Sequence, residues 1–478
     1  MQRLECYPGD DDALKEGDEY EVDNLRLAKK ILARVKDLGV LTTGIERNLI
    51  CCREFYYERA TKNFWHEAGD GIWQAVTKDM AADLLVADGV SPLSAQGELS
   101  DTSRQLVNIV MDSPVDIVAR LAGYRTGVHE ILGSKVLVPA TYDLIEPVEG
   151  DCGIILEILT GLLGEKQLKY FVSTLKIYYE SLRDNRAQPG QMMILCGPAD
   201  GCKSFVQHHI ITPVYGGRSA DAHRYLMGKT DFNADLFGAE HLFLDDAKPY
   251  GSWLSRHDFA ENLKAFIVGK AVSYHAKGRT AVTLTPRWRV TMSLNDDDTA
   301  IRSLPDIAEN FRDKLHLLHS EKFAIPLPNT APAERAALEA KVKEALPGFV
   351  HYLLKYEIPK EAQGSRFGVT HYHHPDLLTK IDAMSDESQL EALIHMALVA
   401  DENREWVGTA DELRWALLQD RTYGRHAEKL LNWANAAGTL LGRLAARKPD
   451  KYEARQTRSR GRHWKIDLGL DAKRVGKD

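Results

Sequence analysis

The stretch that decides the fold is QMMILCGPADGCKS, residues 191–204. Its first half is a short apolar run that predicts a buried strand. Its second half nearly matches the small-residue pattern that precedes Lys and Ser in a phosphate-binding loop, where backbone N–H groups and a helix N-terminus face the phosphates. Cys202 stands where that pattern has its second glycine. The stretch alone is therefore compatible with a working site, a weakened site or a chance match of small residues.

The lysine and the serine have separate roles in this pattern. Lys203 is predicted to neutralise the β- and γ-phosphates of a nucleotide, and Ser204 is predicted to hold Mg²⁺. The predicted nucleotide-binding residues are Gly197, Pro198, Ala199, Asp200, Gly201, Cys202, Lys203 and Ser204.

Two carboxylates and an amide follow later apolar runs. EHLFLDD, residues 240–246, predicts a buried strand that ends in Asp245 and Asp246, and WRVTMSLND, residues 288–296, predicts another that ends in Asn295. At the carboxyl edge of a parallel sheet these groups would lie beside the loop. Asp245 would help to hold Mg²⁺, Asp246 would polarise the attacking water, and Asn295 would contact the γ-phosphate or that water. A surface acidic turn and an ordinary turn-forming asparagine are the alternatives.

A polar hairpin lies between these two strands. AVSYHAKGRTAVTL, residues 271–284, alternates as a β-hairpin should and turns at KGR. Its tip carries His275, Lys277 and Arg279, with Tyr274 alongside, and we predict that all four bind DNA. Cations for the phosphate backbone and a ring for stacking suit single-stranded DNA, although a solvated hairpin tip would also be polar.

Length and composition limit the class of protein. The chain has 478 residues, of which 44% are hydrophobic and 27% charged, as in a soluble globular protein of two to four domains. The net charge of −8 argues against a uniformly basic nucleic-acid binder. The six cysteines form no CxxC pair or zinc spacing, which indicates reduced thiols. The acidic start and the lack of a bilayer-length apolar run predict a cytoplasmic protein without a membrane partner.

The pattern of apolar residues predicts an α/β protein with four segments. Residues 1–140 would form a small α+β domain, with strands around turns at RATKN and AGDG, and residues 141–330 a core with a mainly parallel sheet. Two helices, within 150–163 and 168–184, would lead into that core. Residues 331–384 would be a linker with helical content, marked by Pro326, Pro328 and Pro332, and residues 385–478 a helical C-terminal domain.

The C-terminal segment has the outline of a winged helix. Three predicted helices, the second capped by Thr409 with Glu412 three residues later, precede a strand pair with a basic tip, YEARQTRSRGRHWKIDL, residues 452–468. Arg458, Arg460 and Arg462 are the predicted DNA contacts here, on duplex origin DNA. A packing or oligomer-contact domain is the alternative.

Taken together, these motifs resemble the superfamily 3 helicases, the compact AAA+ motors of viruses, phages and plasmids. In that resemblance GPADGCKS is the Walker A motif, HLFLDD is Walker B, AVSYHAKGR is the B-prime hairpin and TMSLN is motif C. Residues 216–246 and SRFGVTHYHHPDLL, residues 365–378, are similar more narrowly to phage and mobile-element primase-helicases related to the virulence-associated protein E group.

The resemblance implies an AAA+ P-loop core that uses ATP and Mg²⁺. It also implies ring-shaped homo-oligomers, usually hexamers, with ATP between subunits and hairpin tips lining a channel for single-stranded DNA. In SLPDIAENFRDKLHLL, residues 303–318, Arg312 is the position carried over as the arginine that completes a neighbour's site, with Arg302 as the second choice.

The expected function is an ATP-driven DNA helicase for replication of a phage or mobile element. The N-terminal segment has no convincing pair of carboxylates for priming, so any primase is expected to be a separate chain. One alternative is an ATP-dependent origin-binding initiator that does not unwind DNA. Another is a scaffold in which Cys202 disables the loop.

Cys202 itself carries two expectations. A residue other than glycine in a strained backbone conformation costs on the order of 1–3 kcal/mol. We expect Gly201 to shift and supply the missing flexibility, so that nucleotide affinity is weakened rather than lost. A thiol at a helix N-terminus also tends to have a lowered pKa, which would make Cys202 sensitive to oxidation.

Overall fold

The computed structural model of the chain describes residues 53–245, 262–264, 266–267, 271–301, 304, 312–398, 405–457 and 461–469. The chain divides into two compact units. The N-terminal unit contains residues up to Ala119 together with Thr126–Thr141, and the main unit contains Arg120–Arg125 and the chain from Tyr142 onward. The four segments proposed from the sequence remain predictions.

The described residues of the N-terminal unit, 53–119 and 126–141, contain two small sheets and two helices. Its elements are β1 (Phe55–Glu58), β2 (Phe64–Glu67), β3 (Trp73–Val76), α1 (Lys78–Ala87), α2 (Asp101–Asp112), β4 (Pro114–Val115), β5 (Ile117–Val118), β6 (Gly127–Ile131) and β7 (Ser134–Val138). The predicted turns at RATKN and AGDG are confirmed, because β1, β2 and β3 pair antiparallel in chain order. The helices cover this sheet, and its apolar core includes Phe55, Phe64, Leu85 and Leu106.

The main unit begins with a long helical segment, α3 (Gly153–Arg183). The sequence predicted two helices here, and Gly164, at φ 64° and ψ 159°, breaks the segment into two helical halves. An L-residue with a side chain would be strained at this φ, whereas glycine adopts it readily. The apolar face of α3 is buried against a core that also includes the sheet described next.

A five-stranded sheet forms the centre of the main unit. Its strands are β8 (Met192–Gly197), β9 (Ser219–Asp221), β10 (His241–Leu244), β13 (Arg289–Asn295) and β14 (Leu315–His319). The spatial order is β14–β8–β13–β10–β9, and every neighbouring pair is parallel. The predicted parallel sheet is therefore confirmed. The central strands are buried on both faces, which explains why they read as continuous apolar runs rather than as alternating ones.

The described residues that connect these strands include short helices and a hairpin. The helix after β8 has three contiguous parts, α4 (Lys203–Val206), a π-turn at Gln207–Ile211 and α5 (Thr212–Val214). The remaining described elements are α6 (His223–Leu226), α7 (Ala234–Phe237), β11 (Val272–Tyr274), β12 (Val282–Leu284) and α8 (Asp298–Ile301). Strands β11 and β12 pair antiparallel, which confirms the predicted hairpin.

The segment after the sheet is more ordered than the expected linker. It contains α9 (Pro332–Lys355), β15 (Gln363–Gly364), β16 (Gly368–Val369) and α10 (Pro375–Met384). Pro332 begins α9 instead of marking a linker, because proline is well tolerated in the first turn of a helix. Residues of α9, including Leu338, Val342 and Phe349, share the core that contains α3.

The C-terminal part has the order helix, strand, three helices and hairpin. Its elements are α11 (Asp386–Leu398), β17 (Glu405–Thr409), α12 (Ala410–Gln419), α13 (Gly424–Leu430), α14 (Ala436–Arg447), β18 (Tyr452–Thr457) and β19 (Gly461–Asp467). The three strands pair antiparallel in the order β17–β19–β18. The capping box is confirmed, since the N–H of Glu412 donates to Thr409 Oγ1 at 3.2 Å and the N–H of Thr409 donates to Glu412 Oε2 at 2.7 Å.

Two features of this part differ from the expectation. The third predicted helix is divided into α13 and α14, with Asn435 in the left-handed conformation between them. Strand β17, which pairs with β19, was not foreseen. Among the described residues of the whole chain, no helix has the length and apolar character needed to cross a bilayer.

A buried carboxylate, Glu240, directly precedes β10 and links it both to Arg218 and to the segment Arg120–Arg125. Glu240 is fully buried, and it accepts hydrogen bonds from Arg218 Nε at 2.8 Å and from the N–H of Gly123 at 2.9 Å. Burial raises the pKa of Glu240, and Arg218 opposes that rise. The carboxylate therefore depends on the guanidinium for its charge compensation.

Replacing Arg218 by methionine is expected to lower the free energy of unfolding by about 3–5 kcal/mol, because it leaves a buried carboxylate without its cation. Urea denaturation of the wild type and Arg218→Met measures the difference. Lys169→Met removes the more exposed pair between Lys169 and Glu361 and should cost much less. Equal losses in the two variants would contradict the assignment.

Candidate functional site

Three strands of the main sheet end side by side at one edge. Strand β13 lies between β8 and β10, and its last residue, Asn295, is paired in register with Gly197. On its other side Met292 is paired with Leu244, so Asp245 follows at the same edge. Parallel pairing therefore brings together the ends of three segments that are about fifty residues apart in sequence.

The ammonium of Lys203 lies at the centre of this edge. Its Nζ donates to the carbonyl oxygens of Gly197 at 3.0 Å and Pro198 at 2.6 Å, and it lies 3.5 Å from Asn295 Oδ1. The side chain is buried, so its charge acts in a less polar environment than water. The structure thus brings Lys203 and Asn295 together, as the sequence predicted.

The hydroxyl of Ser204 meets the carboxylate of Asp245. Ser204 Oγ donates to Asp245 Oδ1 at 2.7 Å, and Ser293 Oγ donates to the same oxygen. Ser293 was missed in the sequence, although the two-residue period of a strand puts it on the same face as Asn295. Hydroxyl and carboxylate oxygens are hard ligands of the kind that Mg²⁺ prefers, so the donor set fits this ion. Asp246 lies outside the described residues.

Close packing explains the first glycine of the loop. A Cβ at Gly197 would lie 1.9 Å from the carbonyl oxygen of Ser320, which is backbone and cannot move aside cheaply. Glycine therefore lets the end of β8 approach the chain that follows β14. Gly201 is also confined, because a Cβ there would lie 3.0 Å from the carbonyl oxygen of Pro198.

The backbone of the loop corrects one expectation about Cys202. Cys202 itself has the left-handed conformation, at φ 58° and ψ 11°, and Asp200 has φ 59°. Gly201 does not have a positive φ, so it does not supply the flexibility in place of Cys202. A left-handed residue with a Cβ costs about 1–2 kcal/mol, and this strain falls on the cysteine directly.

The chemistry of the Cys202 thiol also differs from the expectation. Burial raises the pKa of this thiol, and the nearby charge of Lys203 lowers it only in part. The thiol is therefore protonated at neutral pH, whereas a reactive cysteine needs a substantial thiolate fraction. The expected sensitivity of Cys202 to oxidation is not supported.

The basic side chains of the hairpin reach the solvent, whereas its tyrosine is buried. Lys277 is exposed, and His275 and Arg279 are half-buried. Tyr274 is only 5% exposed and packs edge-on against Phe237 at 5.1 Å between ring centroids. Alternation along β11 turns this ring inward. The prediction that Tyr274 stacks on bases is therefore wrong for this structure.

Another aromatic residue lies beside the hairpin tip. Phe232 is 45% exposed, and its ring centroid is 5.0 Å from that of His275. The buried side chain of the next residue, Asn233, donates to the carbonyl oxygen of Ser273 at 2.7 Å and accepts from the N–H of His275 at 2.8 Å. Asn233 thus fixes Phe232 next to the hairpin. No sequence signal connects Phe232 with the hairpin, because it precedes the hairpin by about forty residues.

Arg312 lies away from the loop of its own chain. It is exposed and precedes β14, whose first residue, Leu315, is paired with Met192 at the start of β8. Arg312 therefore lies at the amino edge of the sheet, opposite to Lys203, and does not belong to the cluster around Asp245. Arg302 lies outside the described residues.

Five of the basic residues that the structure describes near the C-terminus are paired with acids. Arg462 is exposed, and its guanidinium carbon is 4.9 Å from the centroid of the Trp464 ring, while Arg458 and Arg460 lie outside the described residues. Ion pairs among the described residues of this part include Arg443–Glu387 at 3.0 Å, Lys448–Glu391 at 2.6 Å, Lys451–Glu391 at 2.9 Å, Arg455–Glu453 at 2.8 Å and Lys465–Glu405 at 2.6 Å. These five positive charges are thus compensated within the chain.

The fold is shared with solved structures, although the sequence is not. The apo structure of the C-terminal region of NrS-1 (305–718) has 12% identity and a TM-score of 0.52, over 87% of this chain and 96% of that one. A second structure of this region, its A form, has 11% identity and the same TM-score, over 89% and 98%. The structure titled SCCmec type IV Cch, active helicase, reaches a TM-score of only 0.30 at 9% identity, over 83% and 74%. No protein-family model matches the chain, and no curated protein matches it.

The strain at Cys202 can be tested without any ligand. Cys202→Gly is expected to raise the free energy of unfolding by about 0.5–1 kcal/mol, because relief of the left-handed strain exceeds the extra entropy that glycine gives the unfolded chain. Cys202→Ala keeps the Cβ and should give no such gain. Urea denaturation compares the three proteins, and a gain in Cys202→Ala as large as that in Cys202→Gly would contradict the strain.

Proposed function

We propose that this protein is an ATP-dependent DNA helicase that moves on single-stranded DNA during replication of a phage or mobile element. The observation that carries the proposal is the convergence of Lys203, Ser204, Asp245 and Asn295 at one edge of a parallel sheet. An ammonium, a hydroxyl–carboxylate pair and an amide at this place are the groups that phosphoryl transfer from a nucleoside triphosphate requires.

Each group has a defined part in the proposed reaction. Lys203, which contacts two loop carbonyls, would exchange them for the β- and γ-phosphate oxygens of ATP. Ser204 and Asp245 would hold Mg²⁺, which neutralises charge that develops on the phosphates. Asn295 would contact the γ-phosphate or orient the attacking water, and Asp246 would polarise that water. Ser293 would keep the Asp245 carboxylate in place through its hydrogen bond.

The position of Arg312 supports an assembled ring. An exposed arginine at the edge opposite to its own loop has no access to that loop, but it can enter the site of an adjacent copy. An arginine supplied in this way adds about 10³- to 10⁵-fold to turnover in other nucleotide hydrolases. We therefore propose a homo-oligomer, a hexamer by the superfamily 3 resemblance, with ATP between subunits.

Single-stranded DNA would contact the hairpin. Lys277 and Arg279 supply cations for the phosphate backbone, and the exposed ring of Phe232 beside His275 supplies a surface for a base. Multiple copies of this weak contact in one ring would raise the effective concentration of the strand.

An origin-binding initiator is the second candidate. It is favoured by the C-terminal order of helices with a terminal hairpin, which is typical of winged-helix domains that bind duplex DNA. Arg462 lies on β19, and Arg458 and Arg460, outside the described residues, fall between β18 and β19 in the sequence. Ion pairs at Arg443, Lys448, Lys451, Arg455 and Lys465 reduce the positive charge that this part of the chain offers to DNA and so weaken this reading. Strand displacement on a forked substrate separates the two functions, because only a helicase performs it.

Lys203→Ala is expected to reduce ATP hydrolysis stimulated by single-stranded DNA at least a hundredfold and to abolish fork unwinding, because the phosphates lose their ammonium. Steady-state hydrolysis and strand-displacement assays measure both. Lys166→Ala removes an exposed lysine of α3 and should behave as the wild type. Hydrolysis and unwinding that survive Lys203→Ala would end the proposal.

Phe232→Ala is expected to weaken binding of an oligodeoxynucleotide by about 1–3 kcal/mol, that is about 5- to 150-fold, because one stacking surface is lost. Fluorescence anisotropy with labelled single-stranded DNA measures the affinity. Tyr274→Leu, which removes the buried ring of the hairpin, should leave affinity unchanged in a variant whose circular dichroism matches that of the wild type. The reverse order of effects would restore Tyr274 as the stacking residue.

A further inference from the structure

A buried polar cluster lies beneath the helix that follows the phosphate loop. Its members are Gln207 and Thr212 at the two ends of the π-turn, His241 at the start of β10 and Thr291 in β13. All four are buried, and three of them are fully so. Buried polar groups of this kind are costly unless their hydrogen bonds are made, so their partners are informative.

The hydrogen bonds form a closed ring. Gln207 Nε2 donates to Thr291 Oγ1 at 2.7 Å, and Thr291 Oγ1 lies 2.7 Å from His241 Nε2. His241 Nδ1 lies 2.6 Å from Thr212 Oγ1, and Thr212 Oγ1 donates to the carbonyl oxygen of Gln207 at 3.0 Å. The ring therefore starts at the Gln207 side chain and returns to the Gln207 backbone.

The number of available protons fixes which group donates and which accepts in each hydrogen bond of the ring. A threonine hydroxyl has a single proton. Because Thr212 gives its proton to the Gln207 carbonyl, His241 Nδ1 must donate to Thr212. His241 Nε2 then accepts the proton of Thr291, whose oxygen accepts from Gln207. Taken together, the four bonds fit the neutral Nδ1–H form of His241, with Nε2 as an acceptor.

The surroundings of His241 agree with this form. Burial and, to a smaller extent, the nearby His208 lower the pKa of His241 to about 3, so the imidazole is neutral at physiological pH. A protonated ring would have donors at both nitrogens and would face the proton of Thr291. The hydrogen bonds and the burial therefore describe the same state.

The ring also stabilises the π-turn. The carbonyl oxygen of Gln207 accepts the backbone N–H of Thr212, which is the bond that defines this turn, and it accepts the Thr212 hydroxyl as well. π-turns inside helices are rare and frequently occur at functional sites. Opening the ring would remove a bond from the turn and leave a buried hydroxyl or amide without a partner.

The spacing of the ring members connects them to the candidate site. Gln207 follows Lys203 by four residues on one helix, His241 precedes Asp245 by four residues, and Thr291 precedes Asn295 by four residues along β13. Residues four apart share a helix face, and residues an even number apart share a strand face. The ring thus joins the three elements that carry the ammonium, the carboxylate and the amide.

We propose that the ring of Gln207, Thr291, His241 and Thr212 positions these catalytic groups for ATP hydrolysis. It fixes the π-turn, and through it the register of the loop helix against β10 and β13. This inference rests on the proposed function, because positioning matters only if Lys203, Asp245 and Asn295 act on one nucleotide. The four members are positioning residues, since none of them lies among the groups that would contact ATP.

Thr291→Val tests the inference, because valine keeps the shape of threonine but lacks its hydroxyl. Displacing a catalytic group lowers the rate of the chemical step more than the affinity for substrate, and a shift of about 1 Å can lower that rate about a hundredfold. We expect kcat for Mg²⁺-dependent ATP hydrolysis to fall about 10- to 100-fold, with KM for ATP changed less than about threefold. Thr291→Ser retains the hydroxyl and should restore kcat to within about threefold of the wild type.

Thr174→Val provides the matched control. Thr174 is also a buried threonine, whose hydroxyl donates to the carbonyl oxygen of Tyr170 at 2.8 Å and lies 3.3 Å from His316 Nε2, outside the ring. This variant should lose a similar amount of stability in urea and keep its kcat. A kcat loss in Thr174→Val as large as in Thr291→Val would show a general effect of destabilisation and would overturn the inference.

Thr212→Val breaks the same ring of hydrogen bonds at its member on the helix. It provides a second test of the inference if Thr291→Val does not fold. It should reproduce the fall in kcat with little change in KM. Unchanged kcat in a folded Thr291→Val or Thr212→Val, beside a wild type that Lys203→Ala inactivates, would overturn the positioning role and leave the proposed function standing. Hydrolysis that survives Lys203→Ala would instead remove the proposed function, and the inference with it.

Discussion

The parallel pairing of β13 between β8 and β10 is the constraint on which the candidate site depends. In this order the end of β13 faces the loop at residues 197–204 on one side and the end of β10 on the other, so that Asn295 lies beside Lys203 while Ser293 reaches Asp245. A different strand order would separate these groups by at least one strand spacing, about 5 Å. Backbone hydrogen bonds of the sheet thus fix distances that no local sequence feature could fix.

Several energetically unfavourable features lie together in the loop at residues 197–204. Cys202 and Asp200 are left-handed, the Lys203 ammonium is buried, and Gly197 is packed against backbone. Such costs persist where surrounding structure holds them, and they often accompany sites that bind a ligand. The surrounding structure here includes the serine hydroxyls on Asp245 and the buried ring below the helix. Cys202 therefore makes the observed loop conformation less stable, but it removes none of the polar groups around the loop.

Features with a strong local signal were predictable from the sequence. The apolar runs predicted β8, β10 and β13 of the parallel sheet, although not β9 or β14, and the KGR turn and the Thr409 capping box were identified residue by residue. The sequence could not give the burial of Tyr274, because that depends on Phe237 from another element. Phe232 is held close to the hairpin by the hydrogen bonds of its neighbour Asn233. The π-turn is held by hydrogen bonds to side chains of two strands, β10 and β13, which are distant in sequence. Long-range packing decided each of these features.

A structure of the protein with Mg²⁺ and a non-hydrolysable ATP analogue tests the central claim most directly. The account predicts the γ-phosphate within hydrogen-bond distance of Lys203 Nζ and Asn295, with the ion bound by Ser204 Oγ beside Asp245. A triphosphate bound at another edge of the sheet, or an analogue that does not bind at millimolar concentration, would contradict it.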